Sequence, residues 1–368
     1  MSLRRLGFAA LLLALLGALT SALFEIGVRV FAPQVLAQDV PDLWQQDEAI
    51  GWKHAADARV LANTGDRDVE ICTDAAGDRV SCSEGARSDC ARRILVMGDS
   101  YVEALAVPFE ATVWRRLESD TGACTNVAGV SGWGPSQYLA AVRARLAEPG
   151  ARFDLVILSL YLGNDLTDDA EKLPPAKDVQ RRPFRLLPAG LSLDALVDWF
   201  YPCNAWLESR SHAYVALRFA IRRLRDPGDV GLYGAPRALR ASQLTRPYLD
   251  ETARGVGLVA EAARAHGARL LVVVIPVRSQ VLDPSAERLL RALPALAGDV
   301  DMDLATRELV PRLEALAGVD RVVDLLPILR ASPEPADWGE RDGHFSPRGH
   351  QKWFESIRGP VRELLRAD

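Results

Sequence analysis

Ser100 closes the run Ile-Leu-Val-Met-Gly-Asp-Ser, so a short apolar strand delivers a hydroxyl to a sharp turn. A serine there can attack a carbonyl if a base takes its proton and N–H groups receive the oxyanion. Five histidines compete for the role of base. His54, His212 and His266 fall in a linker, an insertion and a helix end, and His350 opens onto the last helix, a position suited to a structural histidine. His344 remains. Asp342 stands two residues before it, and in an extended segment i and i+2 project to one side, where a carboxylate can fix the imidazole tautomer. Asp337 is the fallback for that carboxylate.

Donors for the oxyanion come from three places. The Ser100 N–H opens the segment after the strand. The stretch Val-Ser-Gly-Trp-Gly offers Gly132, with Gly129 and Gly134 as competitors, since a glycine N–H meets substrate with no side chain in the way. Asn164 in Gly-Asn-Asp ends a third apolar run and carries a side-chain amide. Alone, Gly-Asp-Ser is an ordinary turn with Asp99 ordering it, and Gly-Asn-Asp is another. Together the blocks describe acyl-transfer chemistry.

The elements that must position these groups alternate. Strands are expected at 94–97, 125–130, 153–161, 268–276 and 321–326, and helices at about 111–119, 135–146, 247–266, 304–316 and 347–365. Unbroken apolar strands imply a parallel sheet covered on both faces, hence a three-layer α/β/α sandwich with ligand at the carboxyl ends of the strands. All four blocks fall at such ends. Residues 166–245 break the rhythm and read as an inserted subdomain at the mouth of the site; within it His212–Arg225 is an amphipathic basic helix.

These blocks resemble those of the SGNH/GDSL hydrolase superfamily, whose name records Ser, Gly, Asn and His. The resemblance covers about residues 93–165 and 268–368. It implies a flavodoxin-like sheet and ester hydrolysis or acyl transfer without metal or cofactor. It also implies Ser100 as nucleophile, His344 and Asp342 as base and orienter, and an oxyanion hole of Ser100, Gly132 and Asn164. Two departures stand out. Tyr101 replaces the leucine common after Gly-Asp-Ser, and Asp-x-His replaces the usual Asp-x-x-His, a shorter spacing similar to that of O-acetyltransferases of bacterial exopolysaccharides.

The chain has 368 residues, 49% hydrophobic and 25% charged, with a net charge of −5. It carries no nucleic-acid motif, and a nucleic-acid partner is not expected. Arg4 and Arg5 precede an apolar run, Leu6 to Phe24, about the length that spans a bilayer. The basic flank favours a cytoplasmic N-terminus with the rest exported, although Thr20-Ser21-Ala22 offers a signal-cleavage site and a secreted chain. Residues 1–24 are thus an anchor or signal, 25–92 a polar membrane-proximal segment without sustained period, and 93–368 the catalytic domain. Cys72, Cys82 and Cys90 crowd a Gly/Asp/Ser-rich stretch, with Cys124 and Cys203 further on. Their spacing fits no zinc site, and in an exported chain they imply disulfides whose pairing is not readable. The expectation is a membrane-tethered serine esterase facing the periplasm, acting on an acylated carbohydrate or small ester. The alternatives are an O-acetyltransferase of an envelope or exported polysaccharide and an inactive polysaccharide-binding scaffold.

Overall fold

A computed structural model describes residues 3–34, 36, 40–64, 66–87, 90–167, 169–173, 200, 203–204, 206–207, 209–225, 245–282, 300–340 and 342–366. Helix α1 (Leu3–Phe31) opens the chain, followed by five short strands, β1 (Trp44–Asp47), β2 (Gly51–His54), β3 (Arg59–Asn63), β4 (Asp68–Thr73) and β5 (Arg79–Val80). Then come β6 (Arg93–Gly98), α2 (Ser100–Glu103), α3 (Val113–Thr121), β7 (Cys124–Gly129), α4 (Pro135–Leu146) and β8 (Leu155–Tyr161). Beyond these lie α5 (His212–Arg225), α6 (Arg246–Ala265), β9 (Arg269–Ile275), α7 (Leu304–Glu314), β10 (Arg321–Asp324), α8 (Leu325–Ala331) and α9 (Pro347–Arg366).

The chain divides into two compact units, Met1–Asp39 with Arg181–Gly231, and Val40–Gln180 with Leu232–Asp368. In the first, α1 runs past Phe24 to Phe31, and its stretch Gly7–Phe31 is long and apolar enough to cross a bilayer. Phe8, Leu13, Leu19 and Phe31 on it are all exposed. Glu25 accepts bonds from Ser211 Oγ (2.7 Å) and the His212 and Ala213 N–H groups (3.0 and 2.9 Å), so a carboxylate caps the start of α5. Much of the expected insertion, 174–199 and 226–244, lies outside the described residues.

In the second unit, five parallel strands form one sheet in the order β10-β9-β8-β6-β7. Ile94 to Met97 and Val272 to Ile275 are fully buried, because helices cover both faces of the sheet. Helix α9 shows how: Trp353, Ile357 and Val361 recur every four residues and pack with Trp114, Leu117 and Val323. Strand β6 comes first in this sheet and lies between β7 and β8, so the chain order reverses beside it. A crevice opens at such a reversal, beyond the carboxyl end of the strand. Ser100 stands at that end.

Two expected boundaries shift. The run expected as a strand over 321–326 pairs only to Asp324, whose carboxylate accepts the Leu326 N–H (2.9 Å) and starts α8. Helix α3 begins at Val113, where the Thr112 hydroxyl accepts the Arg115 N–H, after a 3₁₀ turn at Phe109–Ala111. The segment without sustained period holds an antiparallel hairpin, β1-β2, and a three-stranded antiparallel sheet, β3-β4-β5. Val40, Leu43, Ala62, Val69 and Ile71 form its small core, against which Leu105, just after α2, packs. Disulfides join Cys72 to Cys82 and Cys90 to Cys124; Cys203 forms none among the described residues.

Candidate active site

Helix α2 could not sit on the strand ends if the residues beneath it had side chains. A Cβ on Gly98 would stand 2.4 Å from Val102 Cγ2, and one on Gly129 would stand 2.3 Å from Val102 Cγ1. Gly129 thus packs under the helix, while Gly134 caps α4 and donates its N–H to Gln137 Oε1 (3.1 Å). Asp99 caps α2 by accepting the Tyr101 N–H (3.0 Å) and is wholly buried. Burial pushes its carboxyl above the usual range, against the opposing pull of the Tyr101 N–H, the His344 ring and the Asn164 amide.

His344 Nε2 lies 2.7 Å from Ser100 Oγ, and His344 Nδ1 lies 2.5 Å from Asp342 Oδ1. Ser100, His344 and Asp342 therefore form a continuous hydrogen-bonded chain at the carboxyl edge of the sheet. Partial burial disfavours the imidazolium, but the bond and charge of Asp342, with Asp99 and Glu103 further off, hold the histidine above its ordinary value. The segment between Asp342 and His344 is a turn rather than the extended stretch expected: Gly343 has φ +81°, a left-handed conformation open to glycine. Asp66 accepts the Asp342 N–H (3.2 Å), and Tyr101 OH donates to Gly343 O (3.4 Å). Tyr101 also sets its ring 4.9 Å from that of His344 and 4.4 Å from that of Tyr161. Asp337 sits elsewhere: fully buried, it binds Arg348 Nε (3.1 Å) and Lys352 Nζ (2.5 Å) and anchors the start of α9. His350 is likewise structural. It accepts the Val113 N–H (3.3 Å), and burial with nearby Arg79 and Arg116 pushes its pKa down to about 3.

Gly132 is the third residue of a hydrogen-bonded turn, Trp133 N–H to Val130 O (3.1 Å), at φ +82°. Type II turns require that conformation there, which is why glycine occupies it. Among the described residues, the N–H groups of Ser100 and Gly132 donate to no protein acceptor. Asn164 is exposed just past β8, in a turn whose N–H bonds Tyr161 O (3.2 Å). Asp165 holds that turn by accepting the Tyr161 N–H (2.8 Å) and Tyr138 OH (3.0 Å). Burial, reinforced by Asp99, raises the Asp165 carboxyl well above the usual range.

Sequence reasoning did not single out Glu103, Trp52 or Arg79, and it set His54 aside as a linker residue. Glu103, three residues after Ser100, is fully buried and accepts bonds from Trp44 Nε1 (2.9 Å), His54 Nε2 (2.7 Å) and Ser131 Oγ. Arg79 donates to the carbonyls of Glu103, Ala104 (2.6 Å) and Val107 (2.5 Å), and burial pushes its guanidinium down to about 10. The available signal was a glutamate three residues after a candidate nucleophile, on the same short helix.

No family model matches the chain, and no curated protein sequence matches it. Solved structures similar to it include TesA, 15% identical, with a TM-score of 0.35 over 74% of this chain and 99% of that one. A GDSL-like lipase from Bacteroides thetaiotaomicron is 14% identical, with a TM-score of 0.36 over 74% of this chain and 88% of that one. An acetylxylan esterase from Geobacillus stearothermophilus is 12% identical, with a TM-score of 0.35 over 76% and 97%.

Proposed function

We propose that this chain is a serine esterase of the SGNH/GDSL kind. The observation that carries the reading is the Asp342–His344–Ser100 chain, with 2.5 and 2.7 Å links, at the carboxyl end of β6. Ser100 Oγ attacks the acyl carbonyl while its proton passes to His344 Nε2. Asp342 holds the Nδ1 proton and stabilises the imidazolium. The N–H groups of Ser100 and Gly132 and the Asn164 amide receive the oxyanion. His344 returns the proton to the departing alkoxide, and a water molecule, deprotonated by the same nitrogen, hydrolyses the acyl-serine.

The α1 helix and the two disulfides support an exported domain tethered at its N-terminus. The substrate in this reading is an acyl, especially acetyl, ester of envelope carbohydrate or a small ester. The Asp-x-His spacing favours a second reading, an O-acetyltransferase in which a sugar hydroxyl replaces water. The test is labelling with a serine-reactive fluorophosphonate, followed by p-nitrophenyl esters and acylated sugars with and without a sugar acceptor. Labelling at Ser100 with free acid as product supports the esterase; acylated acceptor as the main product supports the transferase. No labelling and no turnover would reject both.

A further inference from the structure

The oxyanion turn is gripped from below by the N-terminal hairpin. Trp52 on β2 donates its indole N–H to Ser131 O (3.1 Å), and Trp133 donates its indole N–H to Trp52 O (2.8 Å). A Cβ on Gly132 would stand 3.5 Å from Trp52 Cζ2, so the indole lies in contact with this turn. The carbonyl held by Trp52 belongs to the same peptide unit as the Gly132 N–H. That unit is planar and trans, so its C=O and N–H point in opposite directions. Fixing Ser131 O therefore fixes the direction of the Gly132 N–H.

The Ser131 side chain is held as well. Its hydroxyl donates to the Glu103 carboxylate, the last residue of the helix that Ser100 begins. A buried carboxylate needs several donors to keep its charge, and Glu103 has them: Ser131, Trp44 and His54, the last two from β1 and β2. His54 Nδ1 in turn faces Gly77 O (3.1 Å). Both ring nitrogens thus meet oxygen atoms of the protein. Burial raises the Glu103 carboxyl, but the bonds to His54, Ser131 and Trp44 outweigh it and leave it below the usual value.

We propose that Trp52 and Glu103 are positioning residues that aim the Gly132 N–H at the oxyanion, which makes the β1–β2 hairpin a working part of the site. The inference rests on the esterase reading and on Gly132 as an oxyanion donor. A misaimed donor weakens transition-state binding more than substrate binding, so the effect belongs in kcat.

The experiment compares full-length wild type with Trp52→Phe, which keeps an aromatic ring but loses the N–H, with Ser131→Ala, and with Ser131→Thr, which keeps the hydroxyl. Measurements are kcat and KM on p-nitrophenyl acetate, inhibition by a boronic acid that forms a tetrahedral adduct with the serine, and Tm. Expected are kcat losses of about tenfold to a hundredfold in Trp52→Phe and Ser131→Ala, short of the roughly hundred- to thousandfold loss on deleting a donor. KM should stay within about twofold, boronate affinity should fall with kcat, and Ser131→Thr should recover most of the loss. Wild-type kcat in Trp52→Phe and Ser131→Ala would overturn the positioning role. So would a kcat loss that leaves boronate affinity unchanged, or one that Ser131→Thr does not recover. Wild type that neither turns over esters nor takes a fluorophosphonate would instead reject the esterase reading beneath it.

Discussion

His344 Nε2 and Ser100 Oγ stand 2.7 Å apart although 244 positions separate them in the chain. The first strand of the parallel sheet ends under the serine, and the loop before the last helix carries the histidine over it. The pair depends on both ends of the fold at once, so its consequences are directly measurable.

In the proposed mechanism Ser100 supplies the nucleophile. Ser100→Ala should abolish fluorophosphonate labelling while the far-UV circular dichroism spectrum stays that of wild type, because the side chain packs no core. Labelling that persists in the variant would show that another residue reacts.

Two carboxylates near the C-terminus should behave differently. Asp342→Asn replaces the carboxylate that sets the His344 tautomer with an uncharged amide and should lower kcat/KM by up to about ten-thousandfold with little change in Tm. Asp337→Asn breaks a buried carboxylate's contacts with Arg348 and Lys352. It should lower Tm by several degrees yet leave kcat of the folded enzyme near wild type. The reverse pattern would exchange their roles.

As the base of the proposed mechanism His344 must be neutral to accept a proton, and it is held above the ordinary histidine value by Asp342 despite partial burial. kcat/KM should therefore rise with pH through an inflection above about 6.5 and then level off. In Asp342→Asn the inflection should move to lower pH. A profile with the same inflection in both proteins would mean that it reports some other group.

His350 gives a separate pH signature, in stability. Its folded pKa, about 3, lies below the unfolded value, so the unfolded chain takes up the proton first as pH falls. The stability is complete above about pH 6.5 and should fall by roughly 1.4 kcal/mol per pH unit below it. Urea unfolding between pH 7 and 4.5 should show that slope, and His350→Gln, which still offers an acceptor to Val113, should reduce it by about that amount. An unchanged slope would assign the acid sensitivity elsewhere.

Alkylation under denaturing, non-reducing conditions should modify one cysteine, Cys203, since the other four are paired. Five reactive thiols in the freshly isolated protein would argue for a chain kept in a reducing compartment.

The parallel sheet, its covering helices and the pairing of Ser100 with His344 were legible in the sequence. Strands buried on both faces are written as unbroken apolar runs, and the blocks of Ser100, Gly132 and Asn164 lie just past the ends of such runs; the expectation that Asp342-Gly343-His344 also ends a strand does not hold, since α8 follows β10 and the block sits in the loop before α9. Histidine is also rare enough here that position alone separates His344 from the rest. The turn at Gly343 was not legible, because a backbone of positive φ brings Asp342 and His344 together as effectively as an extended one. The N-terminal hairpin was missed because its strands are short and partly exposed, with Gln45, Gln46 and Lys53 diluting any period. Glu103 was the least visible of all. By residue type it belongs on a surface, and its burial is stable only because Trp44 and His54, 59 and 49 positions away, bring their donors to it. Local runs of sequence encode which faces are apolar; which polar groups meet inside is decided when distant segments pack, since a buried carboxylate is tolerated only where the completed fold surrounds it with donors.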